Sequence, residues 1–145
     1  MQVKLLEDAT LTDIEVTIRC PKVEGEALRL FTLLGEDRRK LTGMREGETF
    51  LLEAGDILYI DTVDRRTFLY TKEAVYESPL RLYELLERLE CRDFLRAGKS
   101  SILNLRQVQS LRPEFGGRLR CTMANGEVLL VSRQYVPSVK KRLGI

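Results

Sequence analysis

The chain has 145 residues, room for one domain or one small domain with an extension, and its 43% hydrophobic and 32% charged residues give a core without a signature of disorder. It contains no histidine, which excludes Ser-His and Cys-His nucleophilic schemes and every His-ligated metal site. The net charge of +2 hides an asymmetry: residues 1–48 carry eight basic against ten acidic residues, whereas residues 96–145 carry ten basic residues against only Glu114 and Glu127.

Residues 2–7 and 13–19 read as strands, the second with Ile14, Val16 and Ile18 alternating against polar neighbours. Pro21 opens a helical segment in which Ala27, Leu30, Phe31 and Leu34 recur on one face. Glu24 and Glu26 favour its start and Gly35 stops it. Strands follow at about 38–45 and 48–53 around the turn Glu46-Gly47. Another antiparallel pair, 57–61 and 66–71, is joined by the charged loop Thr62-Val63-Asp64-Arg65.

The clearest helix starts at Ser78-Pro79, a cap residue followed by proline at the first helical position, and ends near Cys91. Leu82, Leu85, Leu86 and Leu89 form its buried stripe, and Glu84 with Arg88 an exposed i,i+4 pair. A polar loop at 96–100 precedes strands at 101–104 and 108–112. In 118–123, Leu119, Cys121 and Met123 face one way and Arg118, Arg120 and Thr122 the other. Asn125-Gly126 is the strongest hairpin signal and returns the chain into 128–131. A short C-terminal helix carries Val136, Val139 and Leu143 on one face, with Pro137 tolerable only in its first turn. Many short strands and two or three helices define a β-rich α+β class.

The apolar run at 57–60 is far too short to cross a bilayer, and the N-terminus lacks the basic-then-apolar pattern of a secreted precursor, so a cytoplasmic protein is expected. Cys20, Cys91 and Cys121 fit neither a disulfide framework nor a CxxC knuckle and read as reduced, half-buried thiols. Gly98-Lys99-Ser100 resembles the end of a phosphate-binding loop, but Asp93 stands where that loop needs glycine and the element order is wrong. Ser138 and Lys141 match S-x-x-K without the large fold that chemistry requires. Asp61 and Asp64 lie beside Arg65 and Arg66 and read as a salt-bridged loop, not a metal or acid–base site. No nucleophile, base and oxyanion donor come together, so neither an enzyme nor a cofactor is expected.

The basic final third points to a polyanion partner. Polar loops at strand ends supply the candidates: Arg65, Arg66 and Thr67; Arg96, Lys99 and Ser100; Arg133 and Gln134. Arg and Lys reach guanine acceptors and phosphates, and Gln pairs bidentately with adenine.

Several segments resemble the LytTR family of bacterial DNA-binding domains. They are Asp56-Ile57-Leu58-Tyr59-Ile60-Asp61, Phe94-Leu95-Arg96-Ala97-Gly98-Lys99-Ser100-Ser101-Ile102-Leu103-Asn104, Leu119 through Gly126, and Val131-Ser132-Arg133-Gln134-Tyr135. They occur in the family's order and spacing over about two-thirds of the chain. The resemblance implies small antiparallel sheets, three of them, in an elongated arrangement with short helices. Residues 49–145 would form the DNA-binding domain, and residues 1–48 a small N-terminal β/α extension of the stand-alone type, without a receiver domain, open to a signal or protein partner. It implies a transcriptional regulator that reads successive major grooves of double-stranded DNA through loops, acting on repeated half-sites as a homodimer at least on DNA. Carried over by position, Thr67 or Arg66, Lys99 and Gln134 face bases, while Arg65, Arg96, Ser100 and Arg133 contact phosphates or support loops. Asn104 and Tyr135 match the motif in roles that can be structural. Gly98 stands where many members carry histidine, which leaves Lys99 as the main reader of its loop. The rivals are a protein-interaction module using residues 1–48 and a ligand sensor with a cavity in the N-terminal unit, the basic surface being incidental in both.

Overall fold

The computed structural model describes residues 1–34, 40–89 and 93–145. Gly35, the first residues of the strand expected from 38, and Cys91 lie outside the described residues. Helix α1 (Gly25–Leu34) leads into a hairpin, β1 (Lys40–Arg45) and β2 (Glu48–Glu53). Then come β3 (Ile57–Val63), β4 (Arg66–Thr71), β5 (Val75–Ser78) and helix α2 (Leu82–Leu89). The hairpin β6 (Phe94–Gly98) and β7 (Ser101–Asn104) precedes β8 (Val108–Glu114), β9 (Arg118–Met123), β10 (Val128–Val131) and helix α3 (Val136–Leu143).

Strands β1 to β7 form one sheet in the order β2-β1-β5-β4-β3-β7-β6, and β10-β9-β8 form a second, with every pairing antiparallel. The α+β, strand-rich class stands, but the small sheets number two, because β5 stitches the β1–β2 hairpin onto β4. That short strand has no clear alternation in the sequence.

Around β3, β6 and β7 the large sheet is covered on both faces, which explains why 57–60 is continuously apolar. Ile57 and Ile60 enter a core with Leu69, Phe94, Ile102 and the α2 residues Leu85 and Leu89. A bulge between Ile57 and Tyr59 turns two successive residues, Leu58 and Tyr59, to the opposite face. There they meet Leu103, Ala97, the inner row Leu119, Cys121 and Met123, and α3 through Val136 and Val139. Full burial of each Leu or Ile in these layers contributes roughly 1.5–3 kcal/mol. The sorting of 118–123 into two faces is borne out.

Residues 1–20 form no strand, and almost every side chain there is exposed. Alternation states which face a strand would present but supplies no partner for its backbone, and no described strand pairs with this segment. Helix α1 forms, but rotated from the expected stripe: Leu28 and Thr32 are buried, whereas Phe31 and Leu34 are 61% and 56% exposed. Polar anchors set that rotation. The Thr32 hydroxyl shares a 2.8 Å hydrogen bond with that of Thr42, and the Arg29 guanidinium grips the Glu84 carboxylate through two bonds of 3.1 and 2.8 Å.

The expected exposed Glu84–Arg88 pair is therefore corrected. Both side chains are buried against α1, Glu84 on Arg29 and Arg88 donating to the Thr32 carbonyl. Helix α2 starts three residues past Pro79, because Ser78 closes β5 and its hydroxyl accepts from the Leu80 N–H at 3.1 Å. Leu143 is also 41% exposed, as α3 buries only its first turns. Neither described thiol is half-buried: Cys20 is exposed, and Cys121 is wholly buried with its pKa pushed up by burial to about 11. Among the described residues, no helix is long and apolar enough to cross a membrane.

Candidate nucleic-acid interface

Three turns carry the residues singled out in the sequence, and the sheet brings them to one end. β3 ends where β4 begins, at Asp64-Arg65. β3 is paired to β7 through Asp61 opposite Ser101, so the β6–β7 turn at Lys99-Ser100 lies beside it. The Thr62 N–H donates to the Ser100 carbonyl at 2.9 Å, tying the first turn to the second. The third is the 3-10 turn Arg133–Tyr135 between β10 and α3. Ser132, just before it, donates to the Ala97 carbonyl from both its N–H (2.8 Å) and its hydroxyl (3.1 Å). The turns therefore stand in the order 64–65, 99–100, 133–135, joined by hydrogen bonds in a row.

Each candidate has its own placement. Arg65 is exposed and makes no ion pair among the described residues. Arg66 is held by Glu77 through bonds of 2.6 and 3.1 Å, and that carboxylate raises its pKa further; its guanidinium also lies 5.4 Å from the centre of the Phe68 ring. Thr67 is only 5% exposed. Inward alternation on β4 is the reason, since Thr67, Leu69 and Thr71 share the covered face. Arg96 is half-buried and donates to the Lys99 carbonyl at 2.9 Å, bracing its own turn. Lys99, Ser100, Arg133 and Gln134 are exposed. Arg133 lies with its stem across Gly117 of the β8–β9 loop, so close that a Cβ added there would stand 2.8 Å from Cδ.

The Asp64-Arg65 turn is a two-residue hairpin with φ of 51° and 65°, a left-handed geometry that favours Asn-Gly or Asp-Gly and penalises a long side chain. Arg65→Gly should accordingly raise stability by about 1 kcal/mol in chemical denaturation while removing a cation from this edge. An unchanged or lowered unfolding midpoint would show that the turn stores no strain.

Two motif residues are tied into the fold. Asn104 is 1% exposed; its amide donates to the Ile57 carbonyl at 2.8 Å and its carbonyl oxygen accepts from the Arg106 N–H at 3.1 Å. Tyr135 packs against the second core. Asp61 accepts from the Thr62 N–H and forms no ion pair with Arg65 or Arg66 among the described residues. Burial, followed by hydrogen bonding to Glu127, raises the Tyr59 pKa where its ring stacks on Tyr70 at 4.3 Å. Sequence reasoning missed Ser132 as the link between the second and third turns. Its signal was its place directly before Arg133 at the end of an apolar strand. No group of three potential metal ligands occurs among the described residues.

The family model described as the LytTr DNA-binding domain matches residues 47–144. An uncharacterized HTH-type transcriptional regulator of Staphylococcus aureus (strain NCTC 8325 / PS 47) is 25% identical over 147 residues, spanning 100% of this chain and 99% of the relative. One from strain MRSA252 is 24% identical over the same span. A solved LytTr DNA-binding domain from Bacillus cereus superposes with a TM-score of 0.68 at 24% identity, covering 74% of this chain and 98% of that one, a likeness of fold. Strands separate the three described α-helices from one another, so the described residues contain no helix-turn-helix.

Proposed function

The chain belongs to the LytTR family of DNA-binding domains, and from that premise we propose that it regulates transcription by gripping duplex DNA with the row of three turns. The observation that carries this reading is their alignment at one end of the fold, joined by the Thr62–Ser100 and Ser132–Ala97 hydrogen bonds. Lys99 and Gln134 are the base readers in this assignment, being exposed and at the tips of the second and third turns. Arg65 and Arg133 take phosphates, Ser100 supports them at the turn, and Arg96 acts through the Lys99 carbonyl it holds. Arg66 serves mainly to fix the first turn through Glu77. Two copies would act on repeated half-sites in the cytoplasm as a binding protein, not an enzyme, and residues 1–48 would carry the input. The two parts share one sheet, because the β1–β2 hairpin straddles residue 48.

The test is fluorescence anisotropy with a site selected from random duplexes, repeated at several salt concentrations. Lys99→Ala and Gln134→Ala should each weaken that site by about 1–3 kcal/mol and relax specificity at one base pair. Arg133→Ala should weaken all sequences alike and reduce the slope of log affinity against log salt by roughly one. Wild-type affinity and specificity in all three variants would refute the assignment.

A further inference from the structure

Behind the first turn lies a cleft of about 620 Å3 between α1, the β3–β4 turn and the β5–α2 connection. Four guanidinium groups line it: Arg29, Arg65, Arg66 and Arg81. Two are already neutralised. Arg66 is bound bidentately by Glu77 on one side, and Arg29 bidentately by Glu84 on the other. Arg65 and Arg81 are exposed and make no ion pair among the described residues, and Glu26 is the one lining carboxylate without a cation on it. The exposed ring of Tyr83 stands at the same cleft.

We propose that this cleft is an oxyanion site, taking a phosphoryl group between Arg65 and Arg81. A guanidinium binds phosphate through paired, charge-assisted hydrogen bonds, and two unpaired ones lining a single concavity suit a group with several anionic oxygens. The flanking ion pairs matter as much. They hold two walls of the cleft, Glu77 with Arg66 and Glu84 with Arg29, between which the other two arginines stand. The volume exceeds that of a lone phosphate and matches that of small-molecule sites, with Tyr83 available to a flat substituent.

The consequence for regulation rests on the DNA reading above. Arg65 belongs both to this cleft and to the first of the three turns, so a small phosphorylated ligand that engages it withdraws it from DNA. Helix α1 forms one wall, which places the N-terminal extension in contact with the same ligand. The other source of a phosphoryl group is the DNA backbone itself, held by the same pair of arginines.

The probe is inorganic pyrophosphate, compared with chloride at equal ionic strength, on the full chain. Thermal unfolding of the wild type should shift upward by about 3–6 °C at ten times the dissociation constant. Arg81→Gln, an exposed change outside the three turns, should abolish the shift, whereas Arg112→Gln, equally exposed but on β8 of the second sheet, should keep it. Duplex anisotropy then separates the sources. If the natural ligand is a free anion, pyrophosphate weakens DNA binding by the wild type, while Arg81→Gln binds DNA normally and ignores pyrophosphate. If it is the DNA backbone, Arg81→Gln weakens all duplexes and lowers the salt slope by about one. No shift in the wild type, an equal shift in Arg81→Gln, or equal loss in Arg112→Gln would overturn the proposal. A pyrophosphate shift that depends on Arg81 in a protein that binds no DNA would instead refute the DNA reading and leave the site standing.

Discussion

Asn104→Ala should lower the free energy of unfolding by about 2–4 kcal/mol, read by urea denaturation, although Asn104 occupies a position that in this family's pattern looks like part of a recognition motif. The amide holds the Ile57 carbonyl at the start of β3 and the Arg106 N–H just past β7, both from a side chain that is 1% exposed. Truncation leaves the Ile57 carbonyl buried without a donor, and an unmet buried polar group costs about 1–3 kcal/mol by itself. Asn104→Asp makes the test specific. It keeps the acceptor for Arg106 but sets an anion against the Ile57 carbonyl, so it should not rescue. Loss of DNA affinity in Asn104→Ala at full stability would mean that the residue touches DNA after all.

Phe94→Ala should cost about 3–5 kcal/mol and lower the melting temperature by roughly 6–20 °C. Its ring is among the largest fully enclosed side chains and fills the first core opposite the α2 leucines Leu85 and Leu89. β6 is an edge strand held by β7 on one side, and the ring is enclosed by close-packed residues of α2 and the sheet, so removing it leaves a cavity that only partial relaxation can fill. Phe94→Leu should recover much of the loss, and Leu143→Ala, at a 41% exposed position, should change stability by no more than about 0.5 kcal/mol. Equal effects at positions 94 and 143 would contradict the packing described.

Where local signals and burial agree, the sequence foretells the fold. Asn125-Gly126 forms its turn, with Gly126 at a φ of 90°, and the inward row of 118–123 is buried as patterned. The α2 leucines are core for the same reason. The failures share one cause: each depends on a partner distant in the chain. Residues 13–19 alternate well and pair with no described strand. Glu84 and Arg88 have helical spacing, yet each is claimed by α1, more than fifty residues away. The Arg65 turn lacks glycine, so only its charges announce a loop. Of the candidate site, the exposed Lys99, Arg133 and Gln134 were legible as polar residues at strand ends. The burial of Thr67 was not, because a strand residue beside a loop reads as loop until its neighbours fix which face it shows. Nothing local announces the cleft at Arg81, which three separate segments build.

The Ala97 carbonyl receives both bonds from Ser132, and so one oxygen atom acts as the ruler between the second and third turns. The acceptor is backbone, and one of the two donors is backbone as well. On the proposed assignment, spacing along a duplex and letters recognised would be stored in different atoms. Exchange of the tips at Lys99 and Gln134 would then bring new target sequences at constant pitch. A substitution at Ser132 would remove the hydroxyl bond, leave the backbone one, and loosen the spacing for every target at once.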